Sequence, residues 1–234
     1  MIEFLEAWSL LPVDFLCYLL LLLLDSLIGI RFYRRFPKSF RLLTQLIILT
    51  FLVEFSSESL IQAEKIESNF IFYHLLQVIQ LLYYALIYHE LFEKLNQGKY
   101  KKRALWLGSS LALLCFIISL SIQPFQFFPS YGSLLLSFFV IASSLLYYLK
   151  MMKTPSTITI LKQAGFWFNS GSFFFYSVTF FVFGYFEFAQ GTDKVTPIWV
   201  SNLIKSSNFI LYLSLGLSLY FATTKPSDGN ISGK

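Results

Sequence analysis

The sequence predicts an all-α fold, a polytopic membrane bundle of seven transmembrane helices with the N-terminus outside and the C-terminus inside. Two observations carry that prediction: seven apolar segments of spanning length fill most of the 234 residues, and the cations crowd into alternate connections between them. The segments cover 10–30, 42–62, 70–91, 104–123, 131–149, 164–186 and 197–222, each near the ~20 residues that carry a helix across a ~30 Å hydrocarbon core. Composition agrees, with 56% hydrophobic residues, 13% charged residues and 28 Phe. Residues 1–222 read as a single transmembrane domain and 223–234 as a short polar cytoplasmic tail.

Taken in order, the segments alternate in the charge of the connections that succeed them. The first begins after Glu3 and Glu6 and runs into Arg31, Arg34, Arg35, Lys38 and Arg41. The second ends in a connection whose one cation is Lys65, and the third runs into Lys94, Lys99, Lys101, Lys102 and Arg103. The fourth leads to an apolar turn, Phe125 to Phe128, bracketed by Pro124 and Pro129 and expected at headgroup level. The fifth meets Lys150, Lys153 and Lys162 across a turn-prone stretch at 154–157, the sixth meets Lys194, and the seventh leads to Lys225 and Lys234. Fifteen of the 18 Lys and Arg thus fall on one side, which the positive-inside rule makes cytoplasmic. A bacterial inner, or plasma, membrane is the expected location. The acidic N-terminus lacks the basic n-region and small-residue cleavage site of a signal peptide, so the first segment is expected to stay attached.

Several functions are disfavoured. The net charge of +5 is spread over four short segments without a groove-like cluster, so the basic residues are expected to hold topology and touch membrane lipids rather than nucleic acid. Cys17 and Cys115 fall within predicted helices and read as packing residues. His74 and His89 are fifteen residues apart on one helix, about 22 Å by helical rise, too far to ligate one haem. Neither H-E-x-x-H nor G-x-S-x-G is present. No cofactor and no catalytic residue is expected, and the reading is non-enzymatic.

The polar residues inside the spans carry what remains, because an ionisable side chain at bilayer depth costs about 2.5–3.5 kcal/mol even on lenient scales. Glu54, Glu58, His74, Gln77, Gln80, Asn169, Tyr176, Asn202 and Lys205 form the candidate site. Helical rise puts Glu54, Gln77, Lys205 and Tyr176 roughly 10–15 Å below the outer end. Glu54 and Glu58 share a helical face, as do His74 and Gln77, and Asn202, Lys205 and Asn208 recur every three residues. Three readings stay open: an architectural ion pair of Lys205 with Glu54 or Glu58, a ligand pocket or ion path lined by the same groups, and accidental polarity at lipid-exposed or snorkelling positions. Asp25 is expected to meet Arg31, Arg34 and Arg35 at the cytoplasmic interface, and Asp14 to be wet. Lys205 also raises retinal attachment, which the lack of an acid at matching depth on the third segment disfavours. Gly108 with Ala112, Gly171 with Ser172, and Ser214, Gly216 and Ser218 are expected at close helix contacts.

Phe51-Leu52-Val53-Glu54, Asn69-Phe70-Ile71-Phe72-Tyr73-His74, Phe166-Trp167-Phe168-Asn169 through Tyr176, and Asn202-Leu203-Ile204-Lys205, in this order of segments, resemble a family of small seven-helix membrane proteins of Bacteroidota. That family is similar to membrane input regions of some sensor histidine kinases. The resemblance implies a sensory or signalling accessory role with output through a cytoplasmic partner such as a separate histidine kinase. It implies no ligand and transfers no residue role. A small-molecule or ion transporter using the same polar residues is the alternative.

Overall fold

The computed structural model describes residues 11–66, 68–95, 98–123, 125–153, 159–189 and 198–224. Among these there are seven long helices and no strand. They are α1 Val13–Phe32, α2 Lys38–Gln62, α3 Phe70–Lys94, α4 Gly98–Ser121, α5 Ser130–Lys153, α6 Ala164–Ala189 and α7 Ile198–Thr223. Six are long and apolar enough to cross a membrane, α1 to α6; α7 has similar length, but Asn202, Lys205, Asn208 and several serines dilute its apolar character. This composition makes the chain an integral membrane protein by helix length and hydropathy.

Helix ends depart from the apolar segments by a few residues, mostly toward the charged side. α2 begins at Lys38 and α4 at Gly98, well before the apolar runs, and α5 continues to Lys153. Lys and Arg are good helix formers whose stems cover apolar surface while their heads reach water, so the helix need not stop where hydropathy does. Pro37 precedes α2 in an extended conformation and accepts the first-turn bonds of Phe40 and Arg41. α2 stops through a left-handed Glu64 at φ 51°, with Glu64 N–H donating to the Ile61 carbonyl and Lys65 N–H to that of Leu60, a Schellman closure without the usual glycine. The turn expected at 154–157 and the cation Lys194 lie outside the described residues.

Six helices close a ring in the order α1, α2, α3, α5, α6, α7, with α7 returning against α1; α4 packs outside it on α3 and α5. The end of the bundle holding the start of α1 and the α2–α3 turn is termed upper. Side chains sort as in a bilayer rather than in water: Leu20, Leu52, Leu113, Phe138, Phe181 and Leu213 face outward, while serines, Thr44, His74 and Asn169 are buried. Lipid supplies no hydrophobic drive between helices, so packing and polar contacts hold them. Small residues permit the approach at two seams: a Cβ on Gly171 would lie 2.5 Å from that of Ser214 between α6 and α7, and one on Gly29 would lie 2.5 Å from Thr44 Cγ2 between α1 and α2. Cys17 is exposed and Cys115 buried, both as free thiols.

The lower end is filled. Phe92, Phe168 and Leu219 are fully or almost fully buried there. Asp25 corrects the sequence expectation: it is 2% exposed, its Oδ2 has no hydrogen-bond partner among the described residues, and it faces Gly216 of α7. Seven residues separate it from the end of α1, about 10 Å of rise, so the interfacial arginines are a turn or two below it.

Candidate functional site

Glu54 points into the ring from the upper third of α2. It is 8% exposed, and its two carboxylate oxygens are held from two neighbouring helices: Tyr73 of α3 donates to Oε2 at 2.9 Å and Tyr18 of α1 to Oε1 at 3.3 Å. Tyr18 in turn meets the Tyr212 ring of α7 edge-on, centroids 5.4 Å apart. Both tyrosines sit within the first turns of their helices, which is why they reach the same level as a residue eight positions from the end of α2.

Inside these side chains lies a cavity of about 770 Å³, a size suited to a small organic ligand. All six ring helices contribute to its wall, together with the connection after α4. On α7 the wall positions are Ile204, Asn208, Leu211, Tyr212 and Leu215, and on α3 Phe70, Tyr73, Leu76, Gln77, Gln80 and Tyr84, each a single helical face. The wall ends below near Leu43 and Leu215, above the packed lower core. Among the described wall residues the ionisable groups other than tyrosine are Glu54 and Glu187; no Lys, Arg or His is present.

The upper wall is built by the α4–α5 connection. Phe128 turns inward, stacking on Phe183 of α6 at 4.8 Å and meeting Phe70 edge-on, while Phe127 stays largely outside. The turn expected at headgroup level thus also covers the apolar rings beneath it. Gln123 fixes the turn, its Nε2 donating to the Phe128 carbonyl at 2.7 Å and to Ser130 Oγ at 2.8 Å, its Oε1 accepting from Tyr131 N–H. The Ser130 hydroxyl donates to Glu187 of α6. His74 stands behind this wall, with Nδ1 2.8 Å from Ser119 Oγ of α4 and Nε2 3.0 Å from the Phe127 carbonyl. A carbonyl can only accept, so the proton is on Nε2, and His74 clamps the turn to α3.

Of the nine candidate residues, the cavity gathers Glu54, Gln77, Gln80 and Tyr176. Gln77 Nε2 donates to Ser133 Oγ of α5 at 2.5 Å, and its Oε1 has no partner among the described residues. Glu58 lies one turn above and accepts from Gln62 at 2.7 Å. Asn169 belongs to the lower half, where its Oδ1 accepts from Tyr88 at 3.1 Å and its Nδ2 donates to the Gly165 carbonyl at 2.7 Å. Asn202 is exposed. Lys205 overturns the expected pairing with Glu54 or Glu58: its Nζ lies 2.6 Å from Asp14 Oδ2 at the start of α1, with side-chain exposures of 48% and 46%. A three-residue step falls about 60° short of a full turn, so from Asn202 to Asn208 the row winds off the outside and only Asn208 enters the cavity. Lys205 is outside the wall, which removes the amine a retinal Schiff base inside it would require.

Tyr18, Tyr73, Gln123 and Glu187 were missed by the sequence reading. Glu187 falls one residue past the expected sixth segment, yet Tyr176, Thr179, Phe183 and Glu187 continue one face at helical spacing, a signal available in the sequence. Unspent hydrogen-bonding capacity remains in the wall. Among the described residues, Thr179 Oγ1 is buried without a partner, and the Gln80 and Asn208 amides make no hydrogen bond. His89, Glu90 and Glu93 also converge at the lower end of α3, but the Lys38 ammonium already occupies Glu90 at 2.8 Å.

Comparisons with family models, with curated proteins and with solved structures find no match for this chain.

Proposed function

We propose that this chain is a non-enzymatic sensory membrane protein whose seven helices all span, N-terminus outside, and whose upper, outward-facing cavity binds a small molecule. The observation that carries this reading is the 770 Å³ cavity in a wall where Glu54 ties α1, α2 and α3 together. A ligand that draws on Glu54, Tyr18 or Tyr73 changes how those three helices pack, and a packed bundle passes such a change to its far end as a population shift. The far end carries Arg31, Arg34, Arg35, Lys38 and Arg41 with Lys102 and Arg103, all exposed, a basic surface suited to an acidic patch on a cytoplasmic partner, a histidine kinase being the partner that the sequence resemblance suggests. The filled lower end, with Tyr88, Phe92, Phe168 and Leu219 buried, favours one-sided access over transport.

The test uses purified protein in lipid nanodiscs and a metabolite library screened by thermal shift. Thr179→Trp fills the cavity without breaking a hydrogen bond, whereas Leu113→Trp alters an outward face. Hits should lose their effect in Thr179→Trp and keep it in Leu113→Trp. Hits indifferent to both substitutions sink the cavity reading, and solute uptake by liposomes holding the protein alone would replace sensing by transport.

A further inference from the structure

We infer that the cavity takes an organic ammonium ion with an apolar body, its charge set against Glu54 and the tyrosines that surround it. This rests on the reading of the cavity as a ligand site and names the ligand's chemical class.

The wall chemistry decides the sign of the charge. Glu54 and Glu187 line the cavity and no Lys, Arg or His does among the described residues, so an anion would meet like charge with no compensating partner. A neutral apolar ligand would leave a carboxylate buried to no purpose, at a depth where ionisable groups are costly. Glu54 has no ion pair among the described residues; its contacts are the two tyrosine hydroxyls. A carboxylate offers about four lone-pair positions, so these two bonds orient it and leave capacity for a cation.

Size and lining decide the rest. An alkali ion with its water, each about 30 Å³ in the liquid, is far smaller than 770 Å³. Six tyrosines (Tyr18, Tyr73, Tyr84, Tyr131, Tyr176 and Tyr212) line the space, and aromatic faces attract alkylammonium groups, an effect that grows when water is excluded. Tyr84 and Tyr176 meet edge-on with centroids 5.3 Å apart, and Leu43, Leu46 and Ile47 continue the deep part of the wall. The charged end therefore belongs near Glu54 at the upper level and the apolar body deeper. Gln80 and Asn208 remain for a polar substituent on that body.

The test compares three probes of nearly equal shape on the full chain in zwitterionic nanodiscs: benzyltrimethylammonium, its uncharged carbon isostere neopentylbenzene, and phenylacetate. Equilibrium dialysis should show saturable binding of the ammonium, at least about tenfold tighter than the neutral isostere, and none of the anion. Glu54→Gln should weaken the ammonium about tenfold or more without changing the isostere, and Glu58→Gln should change neither. Equal binding of ammonium and isostere, preference for phenylacetate, an ammonium affinity unmoved by Glu54→Gln, or no saturable ammonium binding would each overturn the inference. The cavity reading is judged separately by Thr179→Trp against the library hits, so that reading survives if only the ligand class is wrong.

Discussion

Tyr73→Phe is the perturbation that most directly separates the pairing seen in the structure from the one the sequence suggested. It removes one hydroxyl, the donor to Glu54 Oε2 at 2.9 Å, and leaves the ring in place against Phe128. Interhelical hydrogen bonds in bilayers average about 0.6 kcal/mol and reach about 1.7 kcal/mol. A short bond to a carboxylate belongs near the top of that range, so a loss of about 1.5 kcal/mol is expected, about tenfold in the folding equilibrium. The Tyr18 bond, at 3.3 Å, should be worth less. The assay is reversible unfolding in mixed detergent micelles, run as a double-mutant cycle with Glu54→Leu so that the coupling is read free of each side chain's other contacts. A parallel cycle of Lys205→Met with Glu54→Leu should show no coupling, since Lys205 reaches Asp14 instead. The reasoning is refuted if Tyr73 and Glu54 do not couple, or if Lys205 and Glu54 couple as strongly as Tyr73 and Glu54 are expected to.

Three further outcomes are expected. His74→Phe should release the turn it holds through the Phe127 carbonyl, seen as faster amide exchange over 125–131 with α2 unaffected; unchanged exchange would deny His74 the clamping role. Glu64→Gly should stabilise the protein by about 1 kcal/mol, because a side chain in the left-handed region costs about 1–2 kcal/mol and glycine is spared it, while a destabilised variant would show that the Glu64 side chain makes a contact that matters more. With Cys17 and Cys115 replaced, Lys65→Cys should react with an impermeant maleimide added outside whole cells, and labelling only after the cytoplasmic side is opened would reverse the proposed orientation.

The helices were legible in the amino-acid order alone. Length and apolarity of a segment are local properties, and a chain whose backbone polar groups cannot be satisfied by lipid must fold those segments as helices; all seven appear, the longest displacements being prolongations through Lys, Arg or a short polar flank, while α1 starts three residues later than its segment and α4 ends two earlier. The same reading placed Glu54, Gln77, Tyr176 and Lys205 at matching depths, since depth needs only the direction of each helix and its rise. Which of the deep residues meet was left to the packing of the helices. Depth says nothing of rotation, and a rotation of about 100° per residue sends Lys205 to Asp14 while its neighbour Ile204 lines the cavity. Helix order was equally invisible. That α7 closes on α1 and α4 stands outside the ring depends on packing between faces, and only that closure brings Tyr18, Glu54 and Tyr73 together. Asn169 was read as a site residue from its polarity alone; its level and its neighbours, Tyr88 and the Gly165 carbonyl, make it a tie between helices in the packed lower half.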